Sequence, residues 1–178
     1  MPITINGSGT ITGLSVGGLP DGTVDADTLA SGVGGKILQV VSAEDTTDRD
    51  FENANTWYDT GLTCNITPAA TSSKIQVFVV QYIQIRRSNS EARGGVILMR
   101  DSTTIWDSQA YNFGFESSTT GTHRIGQNIA FSILDTPNTT SAITYKTRAS
   151  NYLATDNGHF EMNNNAAKST MVLMEVAG

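Results

Sequence analysis

The stretch that decides the fold runs from Lys74 to Arg86, KIQVFVVQYIQIR. In an extended strand successive side chains point to opposite faces, so the alternation predicts one aliphatic face directed at a core, formed by Ile75, Val77, Val79, Ile83 and Ile85. The opposite face carries Phe78, Val80 and Tyr82 at its centre and polar residues at both ends. A strand that is apolar on both faces needs cover on both sides, and a second sheet covers only one of them.

Further strand signals follow at fairly regular intervals from Lys36 onward, and no window has apolar residues at the helical period. Charged residues make up only 16% of the 178 residues, and 17 are Gly, which is typical of strands and turns. Asp101 and Ser102 fit the two-residue connection of a hairpin. The sequence therefore predicts an all-β, antiparallel jelly-roll β-sandwich over residues 36–178. Its other expected strands are Lys36 to Val41, Trp57 to Asp59, Leu62 to Ile66, Gly95 to Arg100, Thr103 to Asp107, Ile129 to Leu134, Ala142 to Ala149, His159 to Met162 and Thr170 to Val176.

Residues 1–35 differ in kind from the rest, because they contain no Lys, Arg or aromatic residue. Such a segment has too little apolar area to form a core alone, so it is either a flexible tail or bound to something. The alternation of short aliphatic residues favours strands that pair with the edge of another protein. We expect an extended N-terminal arm that anchors through Ile3, Ile5, Ile11, Leu14, Val16 and Leu19.

The charge and cysteine content exclude several classes of function. A net charge of -6 argues against a nucleic-acid partner. The local group Arg86, Arg87, Arg93 and Arg100 is interpreted as a solvated strand edge, because acidic residues interrupt it. Cys64 is the single cysteine, which excludes an intrachain disulfide, and a buried strand position is expected for it. The N-terminus lacks the features of a signal peptide and no window is apolar enough to insert into a membrane.

No catalytic or cofactor motif is present in the sequence. His123 and His159 are the only histidines, and neither belongs to a zinc motif or a nucleophile elbow. The acidic loop from Glu44 to Asn55 has carboxylates at a spacing that suits calcium, but Arg49 interrupts it and the pattern of an EF-hand is absent. A solvated loop is the preferred interpretation, with calcium as the alternative. The chain is thus expected to be no enzyme and to carry no cofactor.

Two loops, 112–122 and 151–158, combine aromatic and amide side chains that suit sugars. The expected carbohydrate contacts are Tyr111, Asn112, Phe113 and Phe115. The alternative is that Phe113 and Phe115 simply pack in the domain.

Three segments of the sequence resemble fibre and appendage proteins of tailed bacteriophages. They are GTITGLSVGGLPDGTVDADTLA (9–30), GGKILQVVS (34–42) and WYDTGLTCNITPAATSSKIQVFV (57–79). The resemblance covers the arm and the first half of the domain. It implies an arm that attaches to the virion and a knob similar to trimeric tumour-necrosis-factor and C1q heads. It also implies a location in the virion after synthesis in the host cytoplasm.

The leading functional hypothesis is a short tail or head fibre that forms a homotrimer, covers Phe78, Val80 and Tyr82 by a repeated contact, and displays its knob to host-surface glycans. The first alternative is a capsid decoration protein, whose arm staples shell subunits without reading a receptor. The second is an enzyme on the same scaffold, for example a glycosidase.

Overall fold

A computed structural model of the chain describes residues 36–53, 55–88, 92–109, 112–115, 121–152 and 158–178. Within these ranges the chain forms eleven β-strands and one short 3₁₀ turn, Asn164–Ala166. The strands are β1 (Ile37–Asp45), β2 (Arg49–Phe51), β3 (Thr56–Ile66), β4 (Lys74–Ser88), β5 (Ala92–Arg100), β6 (Thr103–Asp107), β7 (Phe113–Phe115), β8 (Thr122–Asp135), β9 (Ile143–Asn151), β10 (His159–Met162) and β11 (Ser169–Val176). The predicted arm lies outside the described residues.

The strands form two antiparallel sheets, as the sequence predicted. In the first sheet β4 is central, because β8 pairs along one edge of β4 while β11 and β10 pair one after the other along its opposite edge. Strand β1 lies outside β11, and β2 lies outside β10. The second sheet has the order β3-β9-β5, with β6 and β7 on the free edge of β5. The chain is therefore an all-β sandwich of the jelly-roll-like kind.

The inward face of β4 is the core face that its alternation predicted. Ile75, Val77, Val79, Ile83 and Ile85 are each at most 2% exposed. They divide between two apolar clusters, one around Leu62 and Tyr145 and the other around Phe160 and Met162. Phe131 packs against both clusters, so the core runs along the whole of β4.

Close packing explains one of the glycines in β5. A Cβ atom at Gly94 would lie 2.2 Å from Cδ2 of Phe160, whose side chain is fully buried. Only glycine therefore lets the second sheet approach this ring.

A polar link joins the two sheets at one end of the sandwich. Arg100 on β5 contacts both carboxylate oxygens of Asp135 on β8, at 2.7 and 2.8 Å, and the Tyr145 hydroxyl donates to the same carboxylate at 2.7 Å. Burial and the Asp135 carboxylate raise the pKa of Tyr145 far above its ordinary value. Tyr145 thus remains a hydrogen-bond donor at any ordinary pH.

Several local predictions are confirmed. Strands β5 and β6 pair as the predicted hairpin, with Arg100 opposite Thr103. Cys64 is free and 6% exposed. Among the described residues there is no α-helix, and hence none of the length and apolarity that crossing a bilayer requires.

Several strand boundaries differ from the prediction, and β3 joins the two predicted strands Trp57 to Asp59 and Leu62 to Ile66. Two differences in the first sheet show the cause. Part of the acidic loop is the short strand β2, and β8 begins at Thr122 instead of Ile129. In both cases backbone pairing determines the strand, since β2 pairs with β10 and β8 pairs with β4 from Ser88 onward.

Candidate functional site: the outer face of the first sheet

The residues that share the outer face of the first sheet follow from the strand register. Met174 lies opposite Val40 on one side and Gln76 on the other, and Gln76 lies opposite Leu134. The next row holds Ser42, Val172, Phe78 and Ser132, and the third holds Glu44, Thr170, Val80 and Ala130. Directly opposed residues project to the same face. We define the apolar patch as Val40, Phe78, Val80, Leu134, Val172 and Met174.

The apolar patch is exposed to an unusual degree for side chains of this size. Phe78 and Val80 are each 42% exposed, Leu134 is 50% exposed and Val40 is 54% exposed. Val172 and Met174 are half-buried. Because these residues adjoin one another across four strands, the patch is continuous, and a continuous exposed apolar surface is typical of an interaction site.

Tyr82 marks the end of the apolar patch along β4. Its side chain is half-buried and leans over β8, where a Cβ atom at Gly126 would lie 2.2 Å from the Tyr82 hydroxyl oxygen. The three residues predicted for a subunit contact, Phe78, Val80 and Tyr82, thus lie in sequence on one face of one strand. The contact itself remains a prediction.

Beyond Tyr82 the same face changes from apolar to charged. Arg86 donates to Glu161 through Nε at 2.5 Å and contacts Asp50 through Nη2 at 3.3 Å. Gln84 donates to the other oxygen of Glu161 at 2.5 Å, and Asn164 donates to that oxygen at 3.0 Å. Glu161 is 4% exposed, so its charge is compensated within the fold.

His159 completes this charged cluster. Its Nδ1 lies 2.6 Å from Asp50 Oδ2, which requires a proton on Nδ1, because two acceptors do not bond to one another. With that proton in place, the 3.1 Å approach of Arg86 Nη2 to the same nitrogen is a contact between two donors.

Ligand atoms of Asp50, His159 and Glu161 lie within 4.8 Å of one another, the spacing of a metal site. The Arg86 guanidinium already supplies the positive charge at this place. Burial lowers the pKa of Arg86, but Glu161 and Asp50 outweigh that effect and raise it. The arrangement is therefore an ion-pair network.

The carboxylates proposed for calcium also face cations of the chain itself. Asp45 pairs with Arg49 at 2.5 Å, and Glu44 pairs with Lys168 at 2.7 Å. Glu44 and Asp45 are consecutive residues of β1 and project to opposite faces, so their geometry does not favour a shared calcium site.

The interpretation of the arginine group as a solvated edge is wrong for three of its four members. Arg87 is 4% exposed, Arg86 belongs to the charged cluster and Arg100 binds Asp135. The cause is strand pairing, because all three lie in long central strands whose flanks are occupied.

The expected carbohydrate contacts are only partly described. Asn112 is exposed, whereas Phe113 and Phe115 are half-buried and pack against the core cluster around Phe160. Phe115 also meets His123 edge-on, with ring centroids 6.1 Å apart. Tyr111 and the expected anchor residues Ile3, Ile5, Ile11, Leu14, Val16 and Leu19 lie outside the described residues.

Sequence reasoning missed two features. Gln81 points into the core with 0% exposure, and its amide has no hydrogen-bond partner within the described part of the chain. The sequence signal for this feature was a Gln at an inward position of the β4 alternation.

The second feature is a cavity between β2 and β3, lined by Arg49, Asp50, Phe51, Glu52, Asn53 and Tyr58.

Comparison with known proteins leaves the family open. No family model and no curated protein matches the sequence. Three solved structures of infectious bursal disease virus match this chain at low similarity. The Gx strain structure is 12% identical with a TM-score of 0.35, covering 80% of this chain and 33% of that chain. A mutant VP2 protein from derived T=1 particles is 18% identical with a TM-score of 0.35, covering 78% and 36%.

The third structure, a T13 viral particle of the same virus, is 16% identical with a TM-score of 0.32 and covers 79% of this chain and 36% of that chain. The chain thus spans about a third of the length of these neighbours. TM-scores this low do not establish a shared fold or a shared function.

Proposed function

We propose that this chain is a structural protein of a phage virion, a short tail or head fibre that assembles as a homotrimer. Residues 1–35 anchor it to other virion proteins, and residues 36–178 form the knob that contacts carbohydrate on the host surface. The single observation that carries the assembly is the apolar patch, which has no cover within the described residues. The virion role is supported by the sequence segments of the arm and of the first half of the knob that resemble phage fibre proteins.

The size of the apolar patch supports burial against sister chains. Covering a large aliphatic or aromatic side chain contributes about 1.5–3 kcal/mol when burial is complete. Phe78, Val80, Leu134 and Val40 begin about half exposed, so each contributes a fraction of that amount. In a closed ring the same contact recurs at every subunit interface, which multiplies the small gain.

The polar groups that surround the apolar patch favour a specific contact with another copy of the chain over non-specific aggregation. The charged cluster borders the patch along β4, and the Glu44–Lys168 pair borders it along β1 and β11. A polar border around an apolar centre is the usual organisation of a specific protein interface.

The arm provides the reach that anchoring requires. Fully extended, its first thirty residues would span about 100 Å. An arm rich in small aliphatic residues suits pairing with a strand edge of a capsid or tail protein.

Labelling of the virion separates the fibre from its alternative, a capsid decoration protein. Gold-labelled antibodies against the knob should bind at the tail or at isolated head fibres. A regular distribution over the capsid lattice would instead support the decoration role and exclude the fibre.

A competition assay tests the adsorption function. Purified full-length trimer, incubated with host cells beforehand, should slow the adsorption of the phage in proportion to its concentration. A sample disassembled by Phe78→Asp should compete much more weakly, because multivalent binding is lost. If the intact trimer does not affect adsorption, the host-contact role is excluded.

A further inference from the structure

A cavity of about 410 Å³ opens where β2 ends and β3 begins, and no proposed contact uses it. Its size lies within the range of about 300–1,000 Å³ that small-molecule sites occupy. It is lined by two aromatic side chains, two carboxylates, an amide and a guanidinium, which belong to Phe51, Tyr58, Asp50, Glu52, Asn53 and Arg49.

The aromatic wall of this cavity is held in a fixed orientation. The rings of Phe51 and Tyr58 stack with centroids 5.2 Å apart and an angle of 6° between their planes. Phe51 is buried and belongs to the core, so the stack is attached to the rigid part of the sandwich. The Asn53 amide donates to the Tyr58 hydroxyl at 2.6 Å, which fixes the outer end of the ring.

The polar groups are also positioned before any ligand arrives. Asp50 accepts from His159 at 2.6 Å and contacts Arg86 at 3.3 Å. Arg49 is held by Asp45 and by the carbonyl of Thr47, at 2.5 and 3.1 Å. The Glu52 side chain also lines the cavity and is 70% exposed. Asp50 and Arg49 are thus preorganised, which reduces the entropy that binding costs.

We infer that this cavity binds a saccharide. A sugar ring has an apolar C–H face that packs on an aromatic side chain and a rim of hydroxyls that bonds to planar carboxylates and amides, and both kinds of group line the cavity. Asp50 and Arg49 already have partners of opposite charge, which favours a neutral, hydroxyl-rich ligand over an ion. The two carboxylates disfavour a phosphate or another anion.

This inference deepens the proposed function and rests on it for its biological meaning, since it names the part of the knob that would contact host carbohydrate. It places that contact at β2 and β3, whereas the sequence alone suggested the segment around Phe113.

Saturation-transfer NMR tests the inference on the full-length protein. The probes are the methyl glycosides of glucose, galactose and N-acetylglucosamine, with lysine methyl ester as a cationic probe. At least one glycoside should receive saturation on its ring protons. Glu52→Gln and Tyr58→Leu should each weaken that binding about fivefold or more, the effect of losing one hydrogen bond or the stacking ring.

Phe113→Leu is the matched control, because it removes an aromatic ring from the alternative segment and should leave binding unchanged. Glu52 lies on the surface, so its variant keeps the test valid if Tyr58→Leu does not fold. Loss of binding in Phe113→Leu alone would place the sugar elsewhere and overturn the inference, while the adsorption function would stand.

Two other outcomes would also overturn it. Saturation of lysine methyl ester alone would identify an amine site, and no transfer to any probe would exclude the saccharide site. The adsorption competition is measured independently, so its failure is distinguishable from either result.

Discussion

The two outer faces of the sandwich differ sharply although both belong to antiparallel sheets. On the second sheet the face carries polar side chains that bond to one another across strands. Lys146 pairs with Asp59 at 3.1 Å, and the Thr144 hydroxyl donates to Asn65 at 2.7 Å. On the first sheet the corresponding surface is the apolar patch, where Phe78 and Val80 remain 42% exposed.

This difference supports the proposal that a partner covers the outer face of the first sheet. Cross-strand polar pairs stabilise the outer face of the second sheet in water, because each polar group can hydrogen-bond to solvent and to a neighbouring side chain. The side chains of the apolar patch can form neither kind of hydrogen bond. The outer face of the second sheet therefore suits contact with water, whereas the apolar patch is the surface that would gain stability if it were covered.

The largest effect is expected from a matched pair of phenylalanines on opposite faces of the first sheet. Phe160→Ala should lower the free energy of unfolding by about 3–5 kcal/mol, because it leaves a cavity beside Gly94 in the core. Phe78→Ala should cost at most about 1 kcal/mol in the separated subunit. Urea unfolding measured over a range of protein concentrations distinguishes subunit stability from assembly, and equal costs in the dilute limit would refute the assignment of the two faces.

The next effect compares two ion pairs. Glu161→Gln should destabilise the subunit by about 3 kcal/mol, because it removes the buried carboxylate that Arg86 contacts and leaves Asp50 as the remaining anionic partner. Asp59→Asn on the second sheet should cost less than about 1 kcal/mol, because its side chain is 57% exposed. Thermal unfolding of both variants in low and high salt provides the measurement. A similar loss in both would mean that the charged cluster is no more important than a surface pair.

A smaller effect concerns acid stability. Glu175 is fully buried and accepts from Gln39 at 2.6 Å and from the Ala69 backbone at 2.7 Å. Burial raises the pKa of Glu175, but hydrogen bonds outweigh it and hold the pKa below its ordinary value. Its contribution to stability is therefore present above the unfolded-state pKa of about 4.3 and is lost as the pH falls through the lower folded-state pKa.

Glu175→Gln should remove this part of the acid transition. Melting temperatures of the variant should then decline less steeply below about pH 4 than those of the natural chain. Glu52→Gln, at a side chain 70% exposed, is the control and should keep the original profile. Identical profiles for all three proteins would show that Glu175 does not contribute to the acid transition.

The sequence predicted the fold well where burial and strand position coincide. The alternation in β4 identified its core face, and the hairpin at Asp101 followed from turn length alone. The sequence predicts a shorter β8 because the first half of this strand, THRIGQN, is mostly polar. In the structure Ile125 in this half lies opposite buried Ile85 and is still 42% exposed. Its strand conformation comes from pairing with β4, which the pattern of its own side chains does not record.

The candidate sites were less accessible to sequence reasoning. The charged cluster unites Asp50, Arg86 and Glu161, which are far apart in the chain and meet through the register of β2, β10 and β4. The cavity beside Tyr58 depends likewise on how β2 and β3 pack. The register and packing of strands that are distant in sequence depend on the whole sheet, so no local sequence pattern predicts these contacts.

The molecular mass of the full-length chain in solution tests the central claim most directly. Light scattering coupled to size exclusion should give three times the subunit mass of 19.0 kDa for the natural chain. Phe78→Asp should give a single subunit mass, whereas Thr63→Asp, an exposed position on the outer face of the second sheet, should remain trimeric. A natural chain that is monomeric across the accessible concentrations, or a trimer that persists in Phe78→Asp, would contradict the account.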